Sequence, residues 1–352
     1  MRYSALFARI RAHRLLVVVL VVIGVMVVAA TVASRHTQTA SQYAQFNGVN
    51  VQQLDSYWRG QIQQLGSGPA YSAFADSISG LSAPEQHFRA HIFGQALYEQ
   101  VGLPGVVVCD GQFSGGCFHQ FMAQAITENG SSIVGSLASS CISSKSIFCA
   151  HGIGHGLVAL DGYERTDLDT ELQGCGSFPN TYRDACYNGV FMEYEERTTL
   201  SQDGVDMPFT GDWYEPCDSL EGRQQFMCIF HQPKWWWDIL TQRGDGNEAA
   251  AKKIGELCMG AGTQELLTAC IRSVGDAFGL KVDGKIAASL CPYAFSDSKQ
   301  VFLCSEGLAQ SIIESGGSLS EACGYISDTQ RSACETYVQQ FSNEKGVSLS
   351  PL

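Results

Sequence analysis

Hydrophobic and polar positions divide this chain into three stretches. Residues 15–33 (LLVVVLVVIGVMVVAATVA) are 19 uncharged, almost wholly apolar positions, long enough to cross a bilayer core as a helix. Residues 34–53 turn polar, rich in Gln, Ser, Thr and Asn, and read as a tether. From Leu54 apolar residues return at helical spacing, beginning with Tyr57, Trp58, Ile62 and Leu65. Gly66-Ser67-Gly68-Pro69 interrupts that helix. A short helix over 71–78 follows, and Ala83-Pro84 opens a longer one that runs to about Val101. Val106-Val107-Val108 is the one segment here that reads as a strand.

Beyond Val108 the hydropathy pattern is punctuated by cysteine. Fourteen cysteines fall into seven close pairs: 109/117, 141/149, 175/186, 217/228, 258/270, 291/304 and 323/334. The first member advances by 32, 34, 42, 41, 33 and 32 residues from pair to pair, the signature of a repeat architecture. A short helix ends near the first cysteine, a polar connection follows, and the second cysteine lies in the first turns of a second helix. The pattern predicts an all-α domain over residues 54–345, built of disulfide-stapled helical hairpins that form an α-solenoid or an α/α toroid. The stretch 194–216 is an acidic insertion without helical period, and Trp235-Trp236-Trp237 is expected to pack in the core.

Charge fixes the orientation. Arg2, Arg9, Arg11 and Arg14 precede the apolar run and only Arg35 follows it closely. Residues 1–14 are therefore a cytoplasmic tail, 15–33 a transmembrane anchor, and the main domain extracellular or periplasmic. Thr31-Val32-Ala33 loosely fits a cleavage site, but signal h-regions run only about 7–15 residues, which favours an uncleaved anchor. An oxidising compartment suits an even cysteine count. Beyond the apolar run the chain carries 35 acidic against 18 basic residues. That surface excludes nucleic acid and anionic headgroups as partners and leaves the N-terminal helix as the sole membrane contact. A small ligand or a protein is the partner to expect.

The candidate chemistry lies in histidine. His87/His91 and His151/His155 are both i,i+4 pairs, so each pair presents two imidazoles on one helical face. Phe88 and Gly152 follow the first histidines, which excludes the HExxH protease pattern. Aligned on the second cysteine, His119 and His151 occupy equivalent places in successive repeats, where second helices pack about 8–10 Å apart. His87, His91, His119, His151 and His155 are therefore the candidate ligands of a divalent transition metal, with zinc, copper and iron all suited to imidazole. Glu193 and His231 are the candidate proton-moving residues beside it. The rest of Glu193-Tyr194-Glu195-Glu196 is expected to be a solvated acidic turn. Repeats from 258 to 334 carry Arg272, Glu306 and Thr336 where the early ones carry histidine, and read as scaffold. Gly152, Gly154 and Gly156 cost a helix roughly 2–3 kcal/mol relative to alanine, which implies close approach of a backbone or a ligand.

The segments HFRAHIFGQALYEQ, CFHQFM, CAHGIGHGL and CYNGVFMEY, in this order, resemble motifs of uncharacterised exported prokaryotic proteins with repeated Cys–His helical hairpins. The resemblance covers about residues 54–240. It implies the helical fold and singles out the histidines, but implies no reaction. This chain has Gln120 where that pattern has glycine after the motif histidine, and Gln86 where it has a cysteine.

The functional expectation is a membrane-anchored extracytoplasmic repeat protein with a histidine-rich metal site in its N-terminal half. An enzymatic version would be a metal-dependent hydrolase or oxidoreductase. The alternative is a metal-free rigid scaffold that binds protein or peptide. A metal-free hydrolase fits least, because no GxSxG motif is present.

Overall fold

In a computed structural model, residues 50–200, 207–282, 284–315 and 317–345 are described. The predicted anchor over 15–33 and nearly all of the tether lie outside the described residues. Among those described, no helix is long and apolar enough to cross a membrane.

Three cysteine-free helices come first: α1 (Val51–Leu65), α2 (Ser67–Ile78) and α3 (Ala83–Val101). Gly66 separates the first two with φ +85°, which only glycine adopts freely. The second helix starts at Ser67, four residues before its expected start, because Pro69 falls in the first turn, where its missing N–H is not needed. Trp58, Phe74 and Phe93 bind the three helices together, with ring centroids 5.3 Å apart for Trp58–Phe74 and 4.7 Å for Phe74–Phe93. The expected strand at 106–108 is not one. Leu103–Val107 is a 3-10 turn with Pro104 in its first positions, and the described residues contain no strand element.

The hairpins follow the cysteines. The second helices are α4 (Gly116–Asn129), α6 (Ile147–Asp161), α8 (Asn180–Glu196), α9 (Gly222–Gln242), α11 (Gln264–Lys281), α13 (Ser298–Glu314) and α15 (Asp328–Lys345). Their partners are shorter: α5 (Val134–Ser143), α7 (Leu168–Gly174), α10 (Asn247–Met259), α12 (Gly284–Ala294) and α14 (Leu319–Ala322), with 3-10 turns before α4 and α9. All seven disulfides join the cysteines within one repeat, across 8 to 13 residues. Such a framework belongs to an oxidising, extracytoplasmic setting. Caps set the start of several second helices: Ser146, Thr263 and Asp297 each accept a backbone N–H from the first turn.

The second helices stack on one another in order, α3 on α4, α4 on α6, α6 on α8, and so on to α15. Small residues make the stacking close. A Cβ at Gly189 would overlap the carbonyl oxygen of His151, and one at Gly307 that of Arg272. Ser273, at the equivalent place, hydrogen-bonds the Phe230 carbonyl instead. Each of these residues stands three places after its cysteine and meets the carbonyl two places after the cysteine of the preceding repeat. The glycines of α6 thus admit neighbouring backbone: a Cβ at Gly152 would lie 2.8 Å from the Phe118 carbonyl, and one at Gly156 2.7 Å from that of Met122.

The row also curls back on itself. Ser114 Oγ, just before α4, donates to the Glu314 carbonyl at the end of α13, 2.9 Å away. Trp235 and Trp236 are fully buried, as expected of core residues. Their indole N–H groups also pin the loop before α9 by donating to the carbonyls of Met207 and Trp213, each at 2.6 Å.

Candidate metal centre

The stacking fixes where the histidines go. His119 and His151, each two places after its second cysteine, lie side by side, and α3 packs His87 and His91 against His119. His91 Nε2 is 3.1 Å from His87 Nε2 and 3.2 Å from His119 Nδ1. Across α6, His155 Nε2 is 2.9 Å from His151 Nε2. The His119 ring lies between the two pairs, its centroid 5.1 Å from His87 and from His91, 4.9 Å from His151 and 4.3 Å from His155. Two groups, His87/His91/His119 and His119/His151/His155, each hold one ligand nitrogen per ring within 4.8 Å of the others and so could hold a metal ion. Tetrahedral binding with metal–nitrogen bonds of 2.0–2.1 Å puts ligand nitrogens about 3.3 Å apart. The separations of 3.1 Å for His87–His91, 3.2 Å for His91–His119 and 2.9 Å for His151–His155 lie within a few tenths of an ångström of that value, while the His119 ring, stacked on His155 at 23°, must turn to share an ion with it.

The outer nitrogens are held from behind. His87 Nδ1 is 2.7 Å from the Phe113 carbonyl, so Nδ1 carries the proton and Nε2 presents a lone pair to the cluster. His155 Nδ1 likewise donates to Glu193 Oε2 at 2.9 Å, with both side chains fully buried. Carboxylate or carbonyl partners of this kind orient metal-binding imidazoles. Both supports sit beside left-handed non-glycine backbone. Phe113 and Ser114 have φ of 55° and 52°, and Arg197, which ends α8, has φ of 49°. The turn at Arg197 swings Thr198 and Thr199 back over Glu193. The carboxylate accepts both backbone N–H groups, at 2.9 and 3.0 Å, both hydroxyls, at 2.9 and 2.8 Å, and Tyr163 O–H at 2.6 Å.

Electrostatics favour the neutral ring at His87, His91 and His119. Burial first, then the neighbouring rings, hold His91 and His119 well below the ordinary histidine range. Burial also lowers His87, against the pull of the Phe113 carbonyl. Neutral rings have free lone pairs, as ligation requires. His91, His119 and His155 are buried, whereas His87 and His151 are partly exposed and form the open side.

Tyr194, Glu195 and Glu196 were expected in a solvated turn, and the structure corrects this. α8 continues through Glu196, and Glu193 and Glu195 are wholly buried. Glu195 lies against the Cys217–Cys228 bridge, and burial pushes its carboxyl well above the usual range. Those sulfurs are committed to the disulfide, so Glu195 gains no metal ligands from them. His231 has joined a different group. Its Nδ1 is 3.4 Å from Glu196 Oε1, and burial outweighs that contact to lower its pKa to about 4. Lys234 lies 3.9 Å from Glu196 and 3.1 Å from Asp276. Burial alone would raise Glu196, but the charge of Lys234 and the His231 hydrogen bond bring it to about 2.

In the late repeats charged pairs stand where the early ones carry histidine. Lys234 and Asp276 occupy the place six after their cysteines and pair with each other. Arg272 and Glu306 occupy the place two after theirs, with Arg272 Nε and Nη2 donating to Glu306 Oε2 at 3.1 and 2.9 Å. Cysteine register alone could have revealed these pairs. Tyr163, Thr198, Thr199 and the Phe113 carbonyl left no comparable trace in the sequence.

Comparison with protein-family models, curated proteins and solved structures finds no match to this chain.

Proposed function

We propose that this chain is an extracytoplasmic, membrane-anchored helical repeat protein whose five histidines bind a transition metal. The observation that carries the reading is the pairing of convergent ring nitrogens with fixed outer partners, Phe113 behind His87 and Glu193 behind His155. A cluster that merely packed would not require one imidazole of each pair to have its outer nitrogen committed away from the centre. Imidazole alone suits zinc, copper or iron.

With three imidazoles per group, an ion keeps a coordination position for water or an anion, as catalytic rather than closed structural sites do. Glu193, saturated with donors, orients His155 in this reading and does not shuttle protons. His231 belongs with Glu196 and Lys234 on the same inner wall, where a bound molecule's polar groups would meet charge. The Ser114–Glu314 contact supports an α/α toroid over an open solenoid, so the ligand would be a small molecule or a narrow peptide segment.

The test is metal analysis of the full chain purified without a histidine tag, beside His151→Ala/His155→Ala. A bound transition metal in the parent, lost or much reduced in the variant, is the expected result. At a free metal concentration about 100 times Kd, binding should add about 2.7 kcal/mol of stability. Less than about a tenth of an equivalent in the parent, with melting unchanged by chelator, would overturn the reading.

A further inference from the structure

We infer that the cluster binds two divalent ions side by side, joined through the ring of His119. This rests on the metal reading above and concerns the number of ions and the atoms that hold them.

The two three-histidine groups have one member in common, His119. Ring contacts run within His87/His91 and within His151/His155, and His119 touches all four. The two nitrogens of an imidazole point away from one another, so a single ion cannot take both. His119 Nδ1 faces the first group, 3.2 Å from His91 Nε2. His119 Nε2 is buried and has no hydrogen-bond partner.

That orphan nitrogen, inside a ring that touches all four other histidines, is the observation that carries the inference. A metal-binding histidine almost always gives its second nitrogen to a carbonyl, a carboxylate or water. His87 and His155 obey this rule, with Phe113 and Glu193. His119 has no such partner although it is 1% exposed, and a buried polar atom left unpaired is costly. A second ion at Nε2, completed by His151 and His155, supplies the missing partner. The step balances simply: the neutral ring loses its one N–H proton to solvent, and the resulting imidazolate bonds one ion through each nitrogen. No electron is transferred.

The test uses the full chain, tag-free and stripped with chelator, then titrated with Cu²⁺ and read by native mass spectrometry and electron paramagnetic resonance. Binding of two ions, with a copper signal that integrates to well below the copper content, is the expected result, because an imidazolate couples the two spins. His87→Ala/His91→Ala keeps the second group and should bind one ion with a full-intensity signal. His119→Ala should abolish the coupling; circular dichroism establishes that each variant is folded. One ion in the parent, or two with a fully integrating signal, would overturn the bridge and leave the metal reading intact. No bound ion would overturn both.

Discussion

Gly152→Ala tests how the stacking builds the centre. The added methyl would lie 2.8 Å from the Phe118 carbonyl oxygen, where ordinary contact begins at 3.4 Å. The neighbouring atom is backbone, so α4 and α6 must part by about 0.6 Å, three times the tolerance of about 0.2 Å for a metal–ligand distance. Overpacking of this kind costs about 1–3 kcal/mol, offset by about 1 kcal/mol of gained helix propensity. Gly154→Ala should be worse, since its methyl would sit 2.6 Å from Val190 N and closer still to the Cys186 carbonyl. Gly135→Ala is the control. It lies on the exposed face of α5 with nothing within 4 Å, and should raise stability by about 0.5–1 kcal/mol. Denaturant unfolding of the metal-free proteins measures the order, and metal titration of the same samples measures the effect on the centre. If Gly152→Ala and Gly154→Ala match Gly135→Ala in stability, the glycines do not set the helix spacing. If they destabilise but leave metal affinity untouched, the spacing does not set the site.

Other parts of the molecule give independent tests. Glu193→Gln should weaken metal binding about 10–100-fold at unchanged stoichiometry, because His155 loses its anionic partner; equal affinity by calorimetry would refute the orienting role. Glu171 is wholly buried, neither carboxylate oxygen has a hydrogen-bond partner, and burial followed by Asp161 pushes it up to about 9. Its folded pKa exceeds its unfolded one, so its stability contribution is intact below about pH 4.5 and is lost as pH rises toward 9. At pH 7 the loss is at most about 3.5 kcal/mol. Glu171→Gln should therefore gain on the parent steadily from pH 4.5 to 7 in urea unfolding, and a pH-independent difference would contradict it. His87, His91, His119 and His231 are lowered, so in the metal-free protein they act in the opposite sense, removing stability as pH falls below about 6.5. The comparison with the variant separates the two trends. Replacing Cys323 and Cys334, or Cys175 and Cys186, by serine should cost about 3 kcal/mol in each case. Only the second change, at the helix stacked on His151, should also lower metal affinity; equal losses of affinity would deny that the repeats act locally.

The cysteine spacing made the hairpins, their order and their bridges legible in advance, because a short-range disulfide leaves its mark in two residues close in sequence. The i,i+4 histidines and the cysteine alignment likewise singled out five side chains that the fold brings into one cluster. Tyr194 to Glu196 are misread because helix ends are set by what the next residue can do, and Arg197 adopts a conformation that arginine rarely takes. The Val106 to Val108 run misled because β-branched composition says nothing of the neighbouring Pro104. Support of His87 by a carbonyl, and of His155 by a loop that folds back, depends on tertiary geometry that no local pattern encodes.

One consequence of the small residues at the helix crossings concerns substitution. They bring adjacent backbones close, so that in two places the side chain two beyond one second cysteine reaches its equivalent in the next repeat. Imidazole meets imidazole at 119 and 151, and guanidinium meets carboxylate at 272 and 306. The frame thus separates where a group stands from what that group is. A wall built this way can exchange its chemistry one rung at a time while the fold beneath it stays the same.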